Sequence, residues 1–405
     1  MTGDRNALTR RQFVQRAGQA AMATAAVSTM ASKAYTRPAS DRKVRIGVVG
    51  GGFGASFYWH THPNSVVHAV SDLDPSRRDN LMRRYRCERS YDALEKMLLD
   101  PEIDAIAVFT GAPAHARHAI QAMEAGKHVI VACPAAHTLE DCERLREVKE
   151  RTGRYYMLAE TSWYRAHTIA AGELYKQGAF GELFYSECEY YHPRTVESIM
   201  NFWVRDGQRT WRWGMPPMFY PTHSTGFIIP VTGERLTEVS CLGFSGPTLG
   251  VYRNRDNVYD NPFSAQAGMF KTDRGHMSRC NVFFVDGVAH GERAQWFGTE
   301  LAYYMPGSGG QPFRIQGDQA PDWETVPNFW ERLPEELRHS SGHGGSHTFI
   351  THEFVSALVE DREPAIDLYE SLALTAPGLV AHESSLKGGE QLKIPCFDRE
   401  KKQDV

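Results

Sequence analysis

The sequence lacks any C-x-x-C pair. Its seven cysteines, Cys87, Cys133, Cys142, Cys188, Cys241, Cys280 and Cys396, are scattered and odd in number. That argues against a disulfide framework and against a structural zinc site. A basic surplus is also lacking: 45 Lys and Arg stand against 49 Asp and Glu, a net charge of −4. With no excess cation to neutralise phosphates, nucleic acid is not expected as a partner. Runs of like charge long enough for a solvating tail are missing. So is any stretch of about 18 apolar residues, which excludes a helical membrane anchor.

What is present points to about two or three domains, since 405 residues exceed one ordinary core. Residues 1–36 read as a leader rather than as part of the fold. Thr9-Arg10-Arg11-Gln12-Phe13-Val14 sets adjacent arginines before an apolar residue. An alanine-rich run follows from Ala17 to Ala31, then small residues at Ser32-Lys33-Ala34. The order of charge, apolar run and cleavage-like site resembles a twin-arginine export signal and predicts a periplasmic or extracellular protein.

The segment after the leader opens on a β-branched run, Val44-Arg45-Ile46-Gly47-Val48-Val49, followed directly by Gly50-Gly51-Gly52-Phe53-Gly54-Ala55. This fits G-x-G-x-x-(G/A), with Gly50 for the tight turn, Gly52 for close approach of a pyrophosphate and Ala55 for helix–strand packing. A helix is expected to begin there and to reach the second strand, Val66 to Val70. That strand ends at Ser71-Asp72, where an acid can meet the ribose hydroxyls. The acid favours NAD over NADP, although Arg77 and Arg78 lie nearby. The alternation continues with strands at Ala105–Phe109 and His128–Val131 and helices at Ala116–Ala125 and Leu139–Arg151. The class is α/β, beginning with a doubly wound parallel sheet over 37–160.

Thr110 to His115, Glu124-Ala125-Gly126-Lys127-His128-Val129 and the turn at Pro134 resemble the Gfo/Idh/MocA oxidoreductases (glucose-fructose oxidoreductase/inositol dehydrogenase-like). The resemblance implies a second α/β domain with a large, open, mostly antiparallel sheet over 161–397, a sugar or polyol substrate and a homo-oligomer. Pro134-Ala135-Ala136, Tyr220-Pro221-Thr222-His223 with Gly226, and Gly342-His343-Gly344-Gly345 are similar to the branch typified by the NAD-dependent glycosidase α-N-acetylgalactosaminidase. The family's usual Glu-Lys-Pro is here Ala132-Cys133-Pro134, so the lysine that serves proton transfer is missing, as it is in that branch.

The resemblance assigns Gly50, Gly52, Phe53, Gly54, Ala55, Asp72, Thr110, His115, Cys133 and Pro134 to the cofactor, and Tyr190, as base, with His223 and Tyr220 to catalysis. From the residues alone, His223 is a proton carrier by its ordinary pKa, and an unactivated thiol at Cys133 is a poor lysine substitute. The loop-like stretch from Arg209 to Tyr220, rich in aromatics, reads as a pocket wall, with Trp211 and Trp213 as sugar platforms. His343 borders the sugar pocket by resemblance. No metal is expected at His343, His347 and His352, since no thiolate or well-spaced carboxylate joins them. The tail over 398–405 is charged and expected to be loose.

Three functions are compatible with these residues. One is NAD-dependent oxidoreduction of a sugar or glycoside. Another is redox-neutral glycoside cleavage through transient oxidation at C3. The third is a non-catalytic sugar- and nucleotide-binding protein.

Overall fold

The computed structural model describes residues 42–286, 291–306, 311–323 and 325–399. The leader expected over 1–36 lies outside the described residues.

Six strands build the first sheet: β1 (Val44–Val49), β2 (Ser65–Ser71), β3 (Ser90–Tyr91), β4 (Ala105–Val108), β5 (His128–Val131) and β6 (Tyr156–Leu158). All neighbours are parallel, in the order β3-β2-β1-β4-β5-β6. Every residue of β4 is buried, the pattern of a strand covered on both faces, and that is why it reads as an unbroken apolar run. The helix Leu139–Thr152 starts where Thr138 accepts from the Asp141 N–H, with Glu140 and Asp141 in its first turn. Lys127 is buried and donates to the Asp100 and Ile103 carbonyls, both at 2.8 Å, so its role is to tie a turn under the sheet.

The helix expected after the glycine run is absent. Only a single 3-10 turn, Phe53–Ser56, follows Gly52, and irregular chain continues to β2. Tertiary packing overrides the motif here. Phe57 and Trp59 are fully buried, Phe57 stacking on Phe109 and His347, Trp59 edge-on to Phe354. Alternate residues of an extended segment can point both rings inward, whereas a helix would place them about 200° apart.

Beyond the first sheet come β7 (Leu183–Tyr191), a small hairpin of β8 (Val204–Arg205) and β9 (Gln208–Arg209), then β10 (Leu236–Phe244), β11 (Ala265–Thr272), β12 (Met277–Phe283), β13 (Gly291–Gly298), β14 (Leu301–Tyr304), β15 (Phe313–Gln316), β16 (Asp322–Trp323) and β17 (Leu392–Lys393). Nine of these form a sheet in the order β16-β15-β14-β13-β7-β12-β11-β10-β17. Only β12 and β7 pair in parallel. The expected large, mostly antiparallel sheet is therefore present.

The last two long helices, Ser346–Val359 and Leu368–Leu386, return to the first sheet. Phe354, Val355 and Leu372 join its core, while Val380 and Ala381 join the core of the second sheet. The helix Leu368–Leu386 thus carries apolar residues to both cores. Six of the seven cysteines are buried and Cys396 is exposed; all are free. No helix among the described residues is long and apolar enough to cross a membrane. Part of the expected loose tail is pinned: Asp398 pairs with Arg235 and Arg399 with Asp367. Residues 400–405 lie outside the described residues.

Candidate active site

The C-terminal ends of the parallel strands hold the nucleotide-binding candidates, as expected for an open α/β sheet. Gly50 has φ +100°, and a Cβ there would overlap the Phe109 carbonyl. Gly52 is open: a Cβ there would meet nothing nearer than Arg77 Nη1 at 3.8 Å. The Asp72 carboxylate accepts from Gly51 N (2.6 Å) and Asp74 N (2.8 Å), one bond to each oxygen. Its remaining lone pairs suit a ribose diol. Arg78 is committed to the Asp72 carbonyl at 2.9 Å, and Arg77 leans toward Asp74 at 3.8 Å. Gly54 packs against Phe109, the Ala55 carbonyl accepts from Arg84, and Phe53 lies edge-on to both Phe109 and His343. On the far side, His115 bridges the Pro134 carbonyl (2.8 Å) and the Thr110 carbonyl (3.1 Å), joining the loops after β4 and β5. A neutral imidazole can satisfy only one of the two. A backbone cradle opened by Gly52 and an acid held beside it together fit NAD.

Beside this cradle the chain assembles a cluster of proton-carrying groups. Tyr190 is the penultimate residue of β7, Tyr220 follows the turn Pro217–Phe219, and His223 lies in the short helix Thr222–Thr225. Ring centroids are 4.9 Å apart for Tyr190–His223 and Tyr220–His223, and 5.9 Å for Tyr190–Tyr220. His343 stacks over His223 at 6.4 Å. The three expected catalytic residues and His343 are therefore brought together.

Sequence reading missed the residue that organises them. Glu160 is fully buried. His223 Nδ1 donates to its Oε1 at 2.8 Å, Ser162 N donates to the same oxygen at 2.7 Å, and the Cys133 thiol donates to Oε2 at 3.0 Å. The available signal was its place, two residues beyond the last residue of β6, at the end of a parallel strand where ligand sites gather. Burial pushes the Glu160 carboxyl up, but the His223 charge and the hydrogen bonds from His223 and the Ser162 N–H outweigh it and bring it down to about 2. Burial likewise pulls His223 down, but the Glu160 charge and hydrogen bond prevail and raise it. The two residues form a buried ion pair that fixes which His223 nitrogen faces away from Glu160.

Cys133, set in a cis peptide to Pro134, is pushed well above the usual thiol value, by burial first and then by Glu160. It is a hydrogen-bond donor to Glu160 and no thiolate. Burial, then Tyr220 and Glu292, raise Tyr190 well above a free phenol, opposed by Arg212 and Arg194. His343 is lowered, by burial first and by the His223 charge second. His347 Nδ1 faces the Ser56 carbonyl at 3.1 Å and its Nε2 faces His343 Nδ1 at 2.8 Å. If His347 donates to Ser56, His343 must donate to His347, and Nε2 of His343 becomes a proton acceptor. His343 adopts φ +51° ahead of two glycines with positive φ, an uncommon backbone state for a side-chain-bearing residue.

Two residues stand elsewhere. Trp213 is buried in the second core, its indole N–H spent on the Asp256 carbonyl at 2.8 Å. Packing against Trp203 and the Arg209 guanidinium occupies its faces. His352 pairs with His62 at 3.1 Å, away from His343 and His347. Trp211 remains half-buried between Gly111 and the Arg212 guanidinium.

Comparison with known proteins gives two domain matches. Residues 44–160 match the oxidoreductase family with an NAD-binding Rossmann fold, Gfo/Idh/MocA. Residues 324–404 match the C-terminal domain of glycosyl hydrolase 109. A glycosyl hydrolase family 109 protein of Solibacter usitatus is 24% identical over 76% of this chain and 74% of its own. The α-N-acetylgalactosaminidase of Shewanella oneidensis is 24% identical over 84% of this chain and 78% of its own. Among solved structures, a levoglucosan dehydrogenase in complex with NADH and levoglucosan superposes with a TM-score of 0.71 at 19% identity, covering 87% of this chain and 100% of that one. An oxidoreductase domain protein from Kribbella flavida gives 0.71 at 17% identity over the same shares. These structures establish the fold. The chain thus carries one segment, 44–160, that matches the NAD-binding Rossmann domain of the Gfo/Idh/MocA oxidoreductases and another, 324–404, that matches the C-terminal domain of glycosyl hydrolase 109.

Proposed function

We propose that this enzyme cleaves glycosides by a redox-neutral route in which NAD is used and restored within each turnover. The observation that carries this reading is the proton-handling cluster of Glu160, His223 and His343, whose last member lies inside the segment shared with glycosyl hydrolase 109. NAD, when bound, would supply a reversible hydride acceptor, and the C3 hydroxyl proton released with that hydride would pass to water and return on re-reduction. His343, neutral and with Nε2 open as an acceptor, takes the C2 proton that a transient C3 ketone acidifies. His223, kept cationic by Glu160, protonates the departing oxygen at C1 and then orients the water that adds there. Tyr190 stays protonated in the resting site and serves as a hydrogen-bond donor; it can act as a base only where Arg194 and Arg212 lower its phenol enough. The protonated Cys133 does not replace the missing lysine, which weakens the case for simple net oxidation.

The test is to isolate the protein with its bound nucleotide and add a panel of aryl α- and β-glycosides without external NAD. Many phenols released per enzyme, no net gain in reduced-nicotinamide absorbance, and deuterium at C2 when the reaction runs in D2O are expected. One equivalent of reduced cofactor with no phenol would instead make it a net oxidoreductase. Firm nucleotide and sugar binding with neither signal would make it a binding protein.

We also propose export by the twin-arginine route, since a recycled cofactor needs no external supply. Changing Arg10 and Arg11 to Lys should retain the protein in the cytoplasmic fraction. Unchanged partitioning would refute the signal.

A further inference from the structure

Among the described residues, two guanidiniums beside the cluster lack an acidic partner. Arg194 lies between β7 and the helix Val196–Trp203, and Arg212 lies in the loop that leads to Tyr220. Both are half-buried and both stack on Phe202, at 4.2 and 4.5 Å from its centroid. Arg212 also covers Trp211 at 4.1 Å. The side-chain hydrogen bond of Arg194 is a long one, 3.4 Å to Ser198. Among the described residues, the Arg212 guanidinium has no hydrogen bond and no carboxylate within ion-pair distance.

Their neighbours are treated differently. Arg165 is paired with Glu292, Arg205 with Asp74, Arg209 with Asp256, and Arg279 and Arg293 with Glu189. Arg194 and Arg212 differ from these in being two half-buried cations stacked on one ring, with no carboxylate within ion-pair distance among the described residues. Burial pulls both below the usual arginine value, and each acts on the other or on the same tyrosine hydroxyl. Stacking fixes the guanidinium planes and leaves their N–H edges as donors, the geometry that grips a carboxylate or sulfate in bidentate fashion. Tyr190 and Tyr220 pack against His223, and both lie close enough to Arg212 to feel its charge, so an anion held here would belong to a molecule that also reaches the proton-handling groups.

We infer that Arg194 and Arg212 form an oxyanion subsite and that the preferred substrate is an acidic glycoside, carrying a carboxylate or a sulfate on the sugar bound at the cluster. This rests on the glycoside reading above and narrows it to a substrate class.

The probes are D-glucuronate, D-galacturonate and D-galactose 6-sulfate, each set against its neutral parent hexose. Binding to NAD-loaded full-length protein is followed by tryptophan fluorescence and thermal shift, with no turnover required. At least one acidic sugar should bind about tenfold or more tighter than its parent, with the gap shrinking as salt is added. Whether the uronates or the sulfate show the gap identifies the anion. Arg212→Met and Arg194→Met should each narrow the gap, and Arg212→Lys should retain part of it. Equal binding of acidic and neutral sugars to the native protein would overturn the inference, as would a gap that survives the double Met variant. Weaker NAD binding with the gap intact would assign the pair to the cofactor pyrophosphate, and an equal loss of turnover on acidic and neutral glycosides with the gap intact would assign it to Tyr190. Acidic-sugar selectivity without phenol release would keep the subsite and sink the redox-neutral mechanism.

Discussion

Glu160→Gln is expected to reduce kcat/KM by roughly 10²- to 10⁴-fold, the range seen when the orienting acid or the proton carrier of such a pair is removed. The substitution keeps the shape but not the charge. Three donors converge on the Glu160 carboxylate: the His223 ring, the Ser162 N–H and the Cys133 thiol. An amide offers one accepting oxygen, so at least one buried donor is left facing an NH2 group. The second consequence is electrostatic, and its sign is fixed. Glu160 raises His223 above its ordinary value. The cationic form is therefore complete below the ordinary histidine pKa and is lost only as pH rises through the raised one. Without Glu160, burial dominates and the loss moves to lower pH. The alkaline limb of the rate profile should shift toward acid in the variant. The stability readout runs the other way. The Glu160 carboxyl is depressed, so its ionisation stabilises the fold above the ordinary carboxylate pKa, and that contribution disappears as pH falls through the folded value. Acid should lower the melting temperature of the native protein more steeply than that of Glu160→Gln. An unshifted alkaline limb with activity within about threefold of native would remove Glu160 from the mechanism.

Gly50→Ala and Gly52→Ala should separate folding from cofactor binding. At Gly50 the backbone has φ +100° and a Cβ would strike the Phe109 carbonyl, which β4 holds in place. Neither the strained dihedral nor the clash can relax without moving a central strand. A loss of about 3 kcal/mol or more is expected, from left-handed strain of about 1–3 kcal/mol plus overpacking of similar size. At Gly52 a Cβ would meet only Arg77 Nη1, at 3.8 Å, the far end of a flexible side chain. Gly52→Ala should therefore melt close to the native protein when both are stripped of nucleotide. Its NAD affinity should nonetheless fall by about tenfold or more, because the new methyl occupies the space where a pyrophosphate meets the backbone. Thermal melts and a nucleotide titration decide the matter. A Gly52→Ala protein that binds NAD normally would mean that the cofactor does not approach this turn.

Four strands of the first sheet, β1, β2, β4 and β5, were legible because they are largely buried and so appear as short apolar runs, whereas the short β3, Ser90–Tyr91, carries no such pattern. Val44–Val49 and His128–Val131 have the bounds that the sequence predicts. Asp72 was legible because the glycine turn and the second strand fix its place. The helix after Gly52 was misread because the motif carries no information about Phe57 and Trp59, whose burial against Phe109, His347 and Phe354 depends on residues up to about 300 positions away. Trp213 was misread as a platform for the same kind of reason: an aromatic in a loop looks identical whether its N–H meets a sugar or the Asp256 carbonyl.

By itself the sequence determined the nucleotide-binding half, the missing lysine and the candidates Tyr190, Tyr220, His223 and His343. The first is a property of local pattern, of residue type at fixed spacing; the others rest on the resemblance to a known family. The tertiary structure alone decided that Glu160 underlies His223, that Cys133 is a protonated donor to it, that His343 is oriented by His347, and that Arg194 and Arg212 share one aromatic ring without an acid. Each of these is a pairing between segments distant in the chain, and each sets a charge or a proton position. Charge in a buried site follows from the groups within a few ångströms and from exclusion of water, and neither is written in the order of the residues.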